Sequence, residues 1–90
     1  MIGVTGSTTP DVTGTYAPAG NHNGHVFYAR DDNAWFIWDK TGTPSYTITD
    51  EVGGGTAPAD PEWLNFTPGT ILGAYTPAFP AVGTPTVAYL

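Results

Sequence analysis

The stretch from Val26 to Asp50 is the feature that most constrains the fold of this chain. It contains three runs of aromatic and β-branched residues, 26–30, 34–39 and 45–50, separated by clusters of Asp, Asn, Gly and Pro. Aromatic and β-branched side chains suit a pleated, half-buried surface, whereas the residues of the clusters favour turns. The pattern predicts a three-stranded antiparallel meander with short connections.

The middle run differs from the other two because both of its faces are apolar. Side chains alternate between the faces of a strand, which puts Trp35 and Ile37 on one face and Phe36 and Trp38 on the other. One face of a thin sheet cannot hide that much apolar surface. Two interpretations remain open: a second layer of the same chain covers the back, or Phe36 and Trp38 contact another molecule.

Helix breakers occur throughout the rest of the chain, which has 12 Gly and 9 Pro in 90 residues. Every ten-residue window either contains Gly or Pro or lacks a 3.6-residue apolar period, so we expect almost no helix. The 3 Trp, 5 Tyr and 4 Phe argue against disorder. We predict an all-β fold, a small antiparallel meander folding toward a sandwich or open barrel. Its predicted core consists of Tyr16, Phe27, Trp35, Ile37, Tyr46, Ile48, Trp63 and Tyr75.

The predicted domain organisation is simple. Residues 14–90 form a single β domain, and residues 1–13 are either an extended arm that orders on a neighbour or an edge strand. The pattern Gly-x-Tyr-x-Pro-Ala occurs twice, at 14–19 and 73–78. We interpret each copy as a short strand with its Tyr inward that ends at the Pro, because Pro cannot donate to a β-ladder.

Charge and composition exclude several function classes. The net charge is −6 and only Arg30 and Lys40 are positive, so the surface repels phosphate and we expect no nucleic-acid partner. No apolar run approaches the roughly 18 residues of a membrane span, and no basic leader precedes an apolar segment. We therefore expect a complete, unprocessed protein with no membrane partner. Cys is absent, which excludes a disulfide framework.

Catalytic and metal-binding signals are weak. No nucleophile elbow is present, and the acidic residues cluster at turns, so we expect no enzyme activity. His22 and His25 lack a third metal ligand. Asp31-Asp32-Asn33 lacks the spaced ligands of a calcium loop and is typical of a hairpin turn. We expect no cofactor. The Trp and Tyr residues have two open interpretations, core packing or a stacking platform for sugar rings.

The order of several motifs resembles a known module. These motifs are Gly-Thr-Tyr-x-Pro-Ala-Gly (14–20), Asn-Gly (23–24), Phe-Tyr (27–28), Trp-Phe-Ile-Trp-Asp (35–39), Tyr-Thr-Ile-Thr-Asp (46–50) and Gly-Thr-Pro-Thr-Val (83–87). Together they resemble a small β-rich structural module of tailed-bacteriophage virion proteins, found in stand-alone decoration proteins and inside fibre chains. This chain departs from the module by lacking tandem copies, and residues 56–72 match no part of it.

The resemblance implies a non-enzymatic capsid decoration, or cement, protein that stabilises the shell by binding across major capsid subunits. Its location would be the capsid surface of a virion assembled in the host cytoplasm. A small chain without disulfides has little core to stabilise it, so we expect a homo-oligomer, and a trimer suits the threefold positions of a shell. The candidate interface is Phe36, Trp38, Val87, Tyr89 and Leu90. A carbohydrate-binding or tail-fibre (host-attachment) module is the alternative.

Overall fold

Nine β-strands and no helix form the structure, a computed structural model that describes residues 1–90. The strands are β1 (Ile2–Thr5), β2 (Gly14–His22), β3 (His25–Arg30), β4 (Phe36–Asp39), β5 (Tyr46–Thr49), β6 (Glu62–Asn65), β7 (Gly73–Ala74), β8 (Thr76–Ala78) and β9 (Thr86–Tyr89). All pairings are antiparallel. The predicted all-β class is confirmed, and β3, β4 and β5 are the predicted meander.

The sheet closes almost completely into a barrel. Its strand order is β7-β9-β1-β2-β3-β4-β5-β6-β8, and only Tyr75 separates β7 from β8 along the chain. The segment 73–78 therefore pairs with β9 through its first part and with β6 through its second. The two ends of the sheet meet in this segment, which leaves little unpaired strand edge.

Residues with special backbone angles make the tight connections of the meander. Asn23 and Gly24, between β2 and β3, have φ values of 54° and 78°, as the Asn-Gly pair predicts. Asn33, between β3 and β4, has φ 57°. The register then aligns Tyr28 with Ile37 of the next strand. This alignment continues across β5 and β6, so one row of side chains points into the barrel.

The core fills the barrel with aromatic and branched side chains. It comprises Ile2, Val4, Val12, Tyr16, Trp35, Ile37, Ile48, Trp63, Tyr75, Ala81 and Val87. Six of the eight predicted core residues are in this set. Phe27 and Tyr46 are only half-buried. The prediction was wrong for Phe27, whose ring packs outside the barrel against Gly20 and against Phe36, 6.3 Å away between ring centroids.

The two copies of Gly-x-Tyr-x-Pro-Ala have the same local structure. Tyr16 and Tyr75 are both fully buried, and each hydroxyl donates to the carbonyl four residues earlier, on Val12 (2.7 Å) and Ile71 (2.6 Å). The inward Tyr is confirmed, but the predicted strand ends are wrong: β2 runs on to His22, and the second Pro lies within β8. A register shift in β2, just after its Pro, accommodates the missing donor.

The first residues of the chain are an integral part of the sheet. Strand β1 pairs with β2 on one side and β9 on the other, with Val4 opposite Val87. Ile2–Thr5 is therefore neither an arm nor an edge strand, the two predicted alternatives. The following loop is held by an isolated bridge between Thr9 and Val82.

Candidate binding surfaces

The outer face of β4, β5 and β6 is covered by the chain itself. Trp38 points outward yet is only 5% exposed. Its ring contacts the His22 ring edge-on at 5.3 Å, the Lys40 ammonium lies 5.9 Å from its centroid, and its Nε1 donates to Thr49 Oγ1 at 2.8 Å. A second layer of the same chain, the first of the two interpretations of this strand, therefore covers the ring.

Glu62 is the centre of this outer layer. One carboxylate oxygen, Oε2, accepts hydrogen bonds from Lys40 Nζ and Thr47 Oγ1, both at 2.8 Å. The other, Oε1, accepts from the backbone N of Ala57 at 3.0 Å. Burial raises the pKa of Glu62, but these hydrogen bonds and the charge of Lys40 outweigh it, so the pKa lies below its ordinary value. The carboxylate joins β6 to the loop at 50–61.

The predicted interface residues separate into buried and exposed groups. Trp38 and Val87 are buried within the chain, at 5% and 1% exposure, so neither can present a contact surface. Val87 lies in the core, opposite Val4, on β9, which pairs with β1 and β7. Phe36 is half-buried on the outer face. Tyr89 and Leu90 are 70% and 76% exposed.

Tyr89 and Leu90, with Met1, are exposed apolar residues at the paired ends of the chain, and the three are here called the terminal patch. The Leu90 side chain lies over the backbone of Gly3, where an added Cβ would be 2.7 Å from Leu90 Cδ2. The backbone N of Leu90 donates to the carbonyl of Met1. A second exposed pair, Phe79 and Val82, lies in the loop between β8 and β9.

A pocket of about 380 Å³ opens between the loops at one end of the barrel. It is lined by His25, Asp39, Thr41, Gly42, Ser45, Tyr46 and Gly69. Since β2 runs from its pairing with Ile2 toward His22, the pocket and the terminal patch lie at the same end of the barrel. This end thus combines an apolar patch with a polar pocket.

Asp39 dominates the chemistry of the pocket. Its Oδ1 accepts from the backbone N of Thr41 at 3.2 Å, whereas its buried Oδ2 has no hydrogen-bond partner. His25 Nδ1 lies 3.0 Å from Oδ2, but its hydrogen-bond geometry is with the carbonyl of Asn23 at 3.2 Å. Burial raises the pKa of Tyr46, and the charge of Asp39 raises it further. The sequence did not reveal this site, because the pattern around Asp39 indicates only the last residue of a strand.

The candidate metal ligands do not converge. No group of three His, Asp or Glu side chains is placed to hold a metal ion. Asp31-Asp32-Asn33 forms a turn, in which Asp32 pairs with Arg30 through two hydrogen bonds of 2.8 and 2.7 Å. The bond from Arg30 lowers the pKa of Asp32 to about 2.

None of the three Trp rings is available for stacking on a sugar. Trp35, Trp38 and Trp63 are 8%, 5% and 0% exposed. Two of them, Trp35 and Trp63, contact each other edge-on inside the barrel, with centroids 5.7 Å apart. Of the two open interpretations of the Trp residues, core packing is therefore the one that the structure supports.

No family model, curated protein or solved structure matches this chain. No helix of the structure has the length and apolarity to cross a membrane.

Proposed function

We propose that this chain is a non-enzymatic virion structural protein of the capsid decoration, or cement, type, which stabilises the shell by binding across major capsid subunits. The observation that carries the proposal is the terminal patch. Tyr89 and Leu90 are 70% and 76% exposed, among the most exposed large apolar side chains of the chain. Covering apolar surface of this kind with a partner lowers the free energy.

The proposed partner and location are inferred from the resemblance to tailed-bacteriophage modules. A nearly closed barrel suits a protein that clamps a shell, because it exposes little strand edge for non-specific pairing. The proposal places the chain on the capsid surface of a virion assembled in the host cytoplasm. It includes a homo-oligomer, with a trimer preferred because threefold positions of an icosahedral shell receive it symmetrically.

A carbohydrate-binding or tail-fibre role is the second candidate, and the pocket at Asp39 favours it. Carboxylates and Tyr hydroxyls are common hydrogen-bond partners for small polar ligands. The buried Trp rings count against a flat sugar platform. A host-attachment module with this structure would have to use the pocket.

Co-sedimentation with purified shells that lack the protein tests the proposal. We expect the wild type to bind shells and Tyr89→Ser with Leu90→Ser to lose binding, while Phe79→Ser with Val82→Ser, at a different exposed site, binds as the wild type does. Sedimentation of the free protein measures the oligomer. A stable monomer that ignores shells would end the decoration proposal, and binding on a glycan array would then favour the second candidate.

A further inference from the structure

The carboxylate of Asp39 is buried without a full set of partners. The residue is 6% exposed, and Oδ2 has no hydrogen bond. An ionised oxygen removed from water is costly unless a donor or a cation compensates it. The pocket beside it supplies room for such a group.

The two permanent cations of the chain cannot neutralise Asp39. Arg30 forms its two-bond pair with Asp32, and Lys40 Nζ lies 2.8 Å from Glu62 Oε2 on the outer face. No Lys or Arg lines the pocket. The only group of this chain beside Oδ2 that could carry positive charge is the His25 imidazole, 3.0 Å away, and the pocket has room for a cation from another molecule in its place.

We propose that the pocket binds a primary ammonium group, with Asp39 as its anionic anchor. An ammonium carries three donors and a full charge, so it pairs with a carboxylate more strongly than a neutral hydroxyl does. The half-buried Tyr46 adds a hydroxyl and a ring face that attracts cations. A divalent metal fits poorly, since Asp39 is the only carboxylate in the lining and calcium takes six to eight oxygen ligands.

His25 controls access to the anchor. Its side chain is 60% exposed and lies on the hairpin after Asn23-Gly24, with Nδ1 3.0 Å from Oδ2. An incoming ammonium replaces the imidazole at that oxygen, and the exposed ring has room to turn outward. Removing the imidazole therefore frees the anchor and strengthens binding.

The ammonium has two sources with the same chemistry, a Lys side chain of a partner protein or a free alkylamine. N-acetyl-lysine amide and cadaverine represent these sources. Binding is measured by titrating each into the ¹⁵N-labelled chain and following the backbone amides of Gly42, Tyr46 and Gly69 by NMR. We expect saturable shifts at these amides with at least one of the two probes. The tighter probe identifies the source.

Matched controls isolate the charge. N-acetyl-norleucine amide, which lacks the ammonium, should produce no saturable shift. Asp39→Asn should weaken binding about tenfold or more, since it removes a charge-assisted bond. Asp31→Asn, which makes the same charge change at an exposed turn, should leave affinity unchanged, and His25→Ala should raise it.

Several results would overturn the assignment. They are the absence of shifts with both amines, equal binding of the norleucine compound, and equal affinity in Asp39→Asn and Asp31→Asn. Saturable shifts with calcium chloride or methyl glucoside but not with the amines would overturn it in favour of a metal or a sugar. If Asp39→Asn does not fold, the comparison between the two amides on the wild type still decides. The inference is independent of capsid binding, so either proposal can fail alone.

Discussion

Both faces of β4, β5 and β6 bury some side chains almost completely, but by different means. The inner face aligns Ile37, Ile48 and Trp63, all 0% exposed, in the interior of the barrel. The outer face carries Trp38 and Glu62, which are 5% and 3% exposed under the polar layer. Burial alone therefore does not reveal what stabilises a strand.

The difference lies in how each face responds to change. The stabilisation from apolar burial does not depend on direction. It depends on the area that a side chain buries and on how closely that side chain packs. A buried polar network depends on each of its partners, because one lost partner leaves another group unsatisfied. We expect large but pH-independent effects from the inner face and smaller, pH-dependent effects from the outer face.

The largest expected effect is that of Trp63→Ala on the inner face. The substitution leaves a cavity beside Trp35 and removes the donor of the 3.1 Å bond to the carbonyl of Gly83. It should lower the free energy of unfolding by about 3–5 kcal/mol in urea titrations. Leu64→Ala, one residue on and half-buried on the other face, is the control and should cost about 1 kcal/mol. Equal losses would contradict the ranking of the two faces.

The outer face should show its largest effect at Glu62. Glu62→Ala removes the acceptor of Lys40, Thr47 and the Ala57 amide together. Since Lys40 keeps some contact with water, at 25% side-chain exposure, we expect a loss of about 2–3 kcal/mol, below the usual cost of breaking a fully buried pair. Glu51→Ala, at an exposed carboxylate nearby, should change stability by less than about 0.5 kcal/mol. If Glu62→Ala loses no more stability than this control, the outer layer contributes little to the free energy of folding.

Acid should remove the contribution of Glu62 selectively. Because its folded-state pKa lies below the ordinary value of 4.5, the carboxylate stabilises the fold above that pH and loses this contribution as the pH falls through the folded-state pKa. Glu62→Gln, which we expect to cost about 1–2 kcal/mol at pH 7, should therefore approach the wild type in stability as the pH is lowered from 6 to 3.

Comparing the two proteins at each pH separates Glu62 from other acidic groups. Hydrogen bonds with Thr13 lower the pKa of Asp11, and the bond from Arg30 lowers that of Asp32, so acid weakens both proteins through these groups alike. The measurement is urea unfolding across the pH series. A gap between wild type and Glu62→Gln that stays constant to pH 3 would rule out this linkage.

Sequence patterns predicted the inner face better than the outer. Alternation in the runs 34–39 and 45–50 correctly placed Ile37 and Ile48 in the core, because period-2 patterns specify which side of a strand is dry. The outer layer consists of His22 and Lys40, which pack on Trp38, and of the Gly/Pro-rich loop at 50–61, which bonds Glu62 through the Ala57 amide. No periodic signal in the sequence indicates these contacts.

The errors in the core prediction have a common physical origin. Closure of the sheet decides which apolar residues are enclosed, and closure depends on long-range pairing of segment 73–78 with β9 and β6. Phe27 was predicted in the core, but its neighbour Tyr28 packs against the core, so Phe27 faces outward and lies over Gly20. The pocket likewise forms from loops that are distant in sequence, so Asp39 gave no signal of its own.

The smallest effects should come from two polar atoms inside the barrel, the hydroxyls of Tyr16 and Tyr75. Tyr16→Phe and Tyr75→Phe each delete one hydroxyl and leave a carbonyl, on Val12 or Ile71, without that donor. Burial raises the pKa of both Tyr residues well above the ordinary value of 10, so each hydroxyl is neutral and acts as a donor at pH 7. A buried neutral hydrogen bond contributes about 1 kcal/mol, so we expect a loss of about that size from each substitution.

Because the two sites share one local geometry, the losses should agree within about 0.5 kcal/mol and add in the double variant. Urea unfolding at pH 6 and pH 8 should give the same losses. A loss at one site but not the other would show that the repeated motif is equivalent in backbone only.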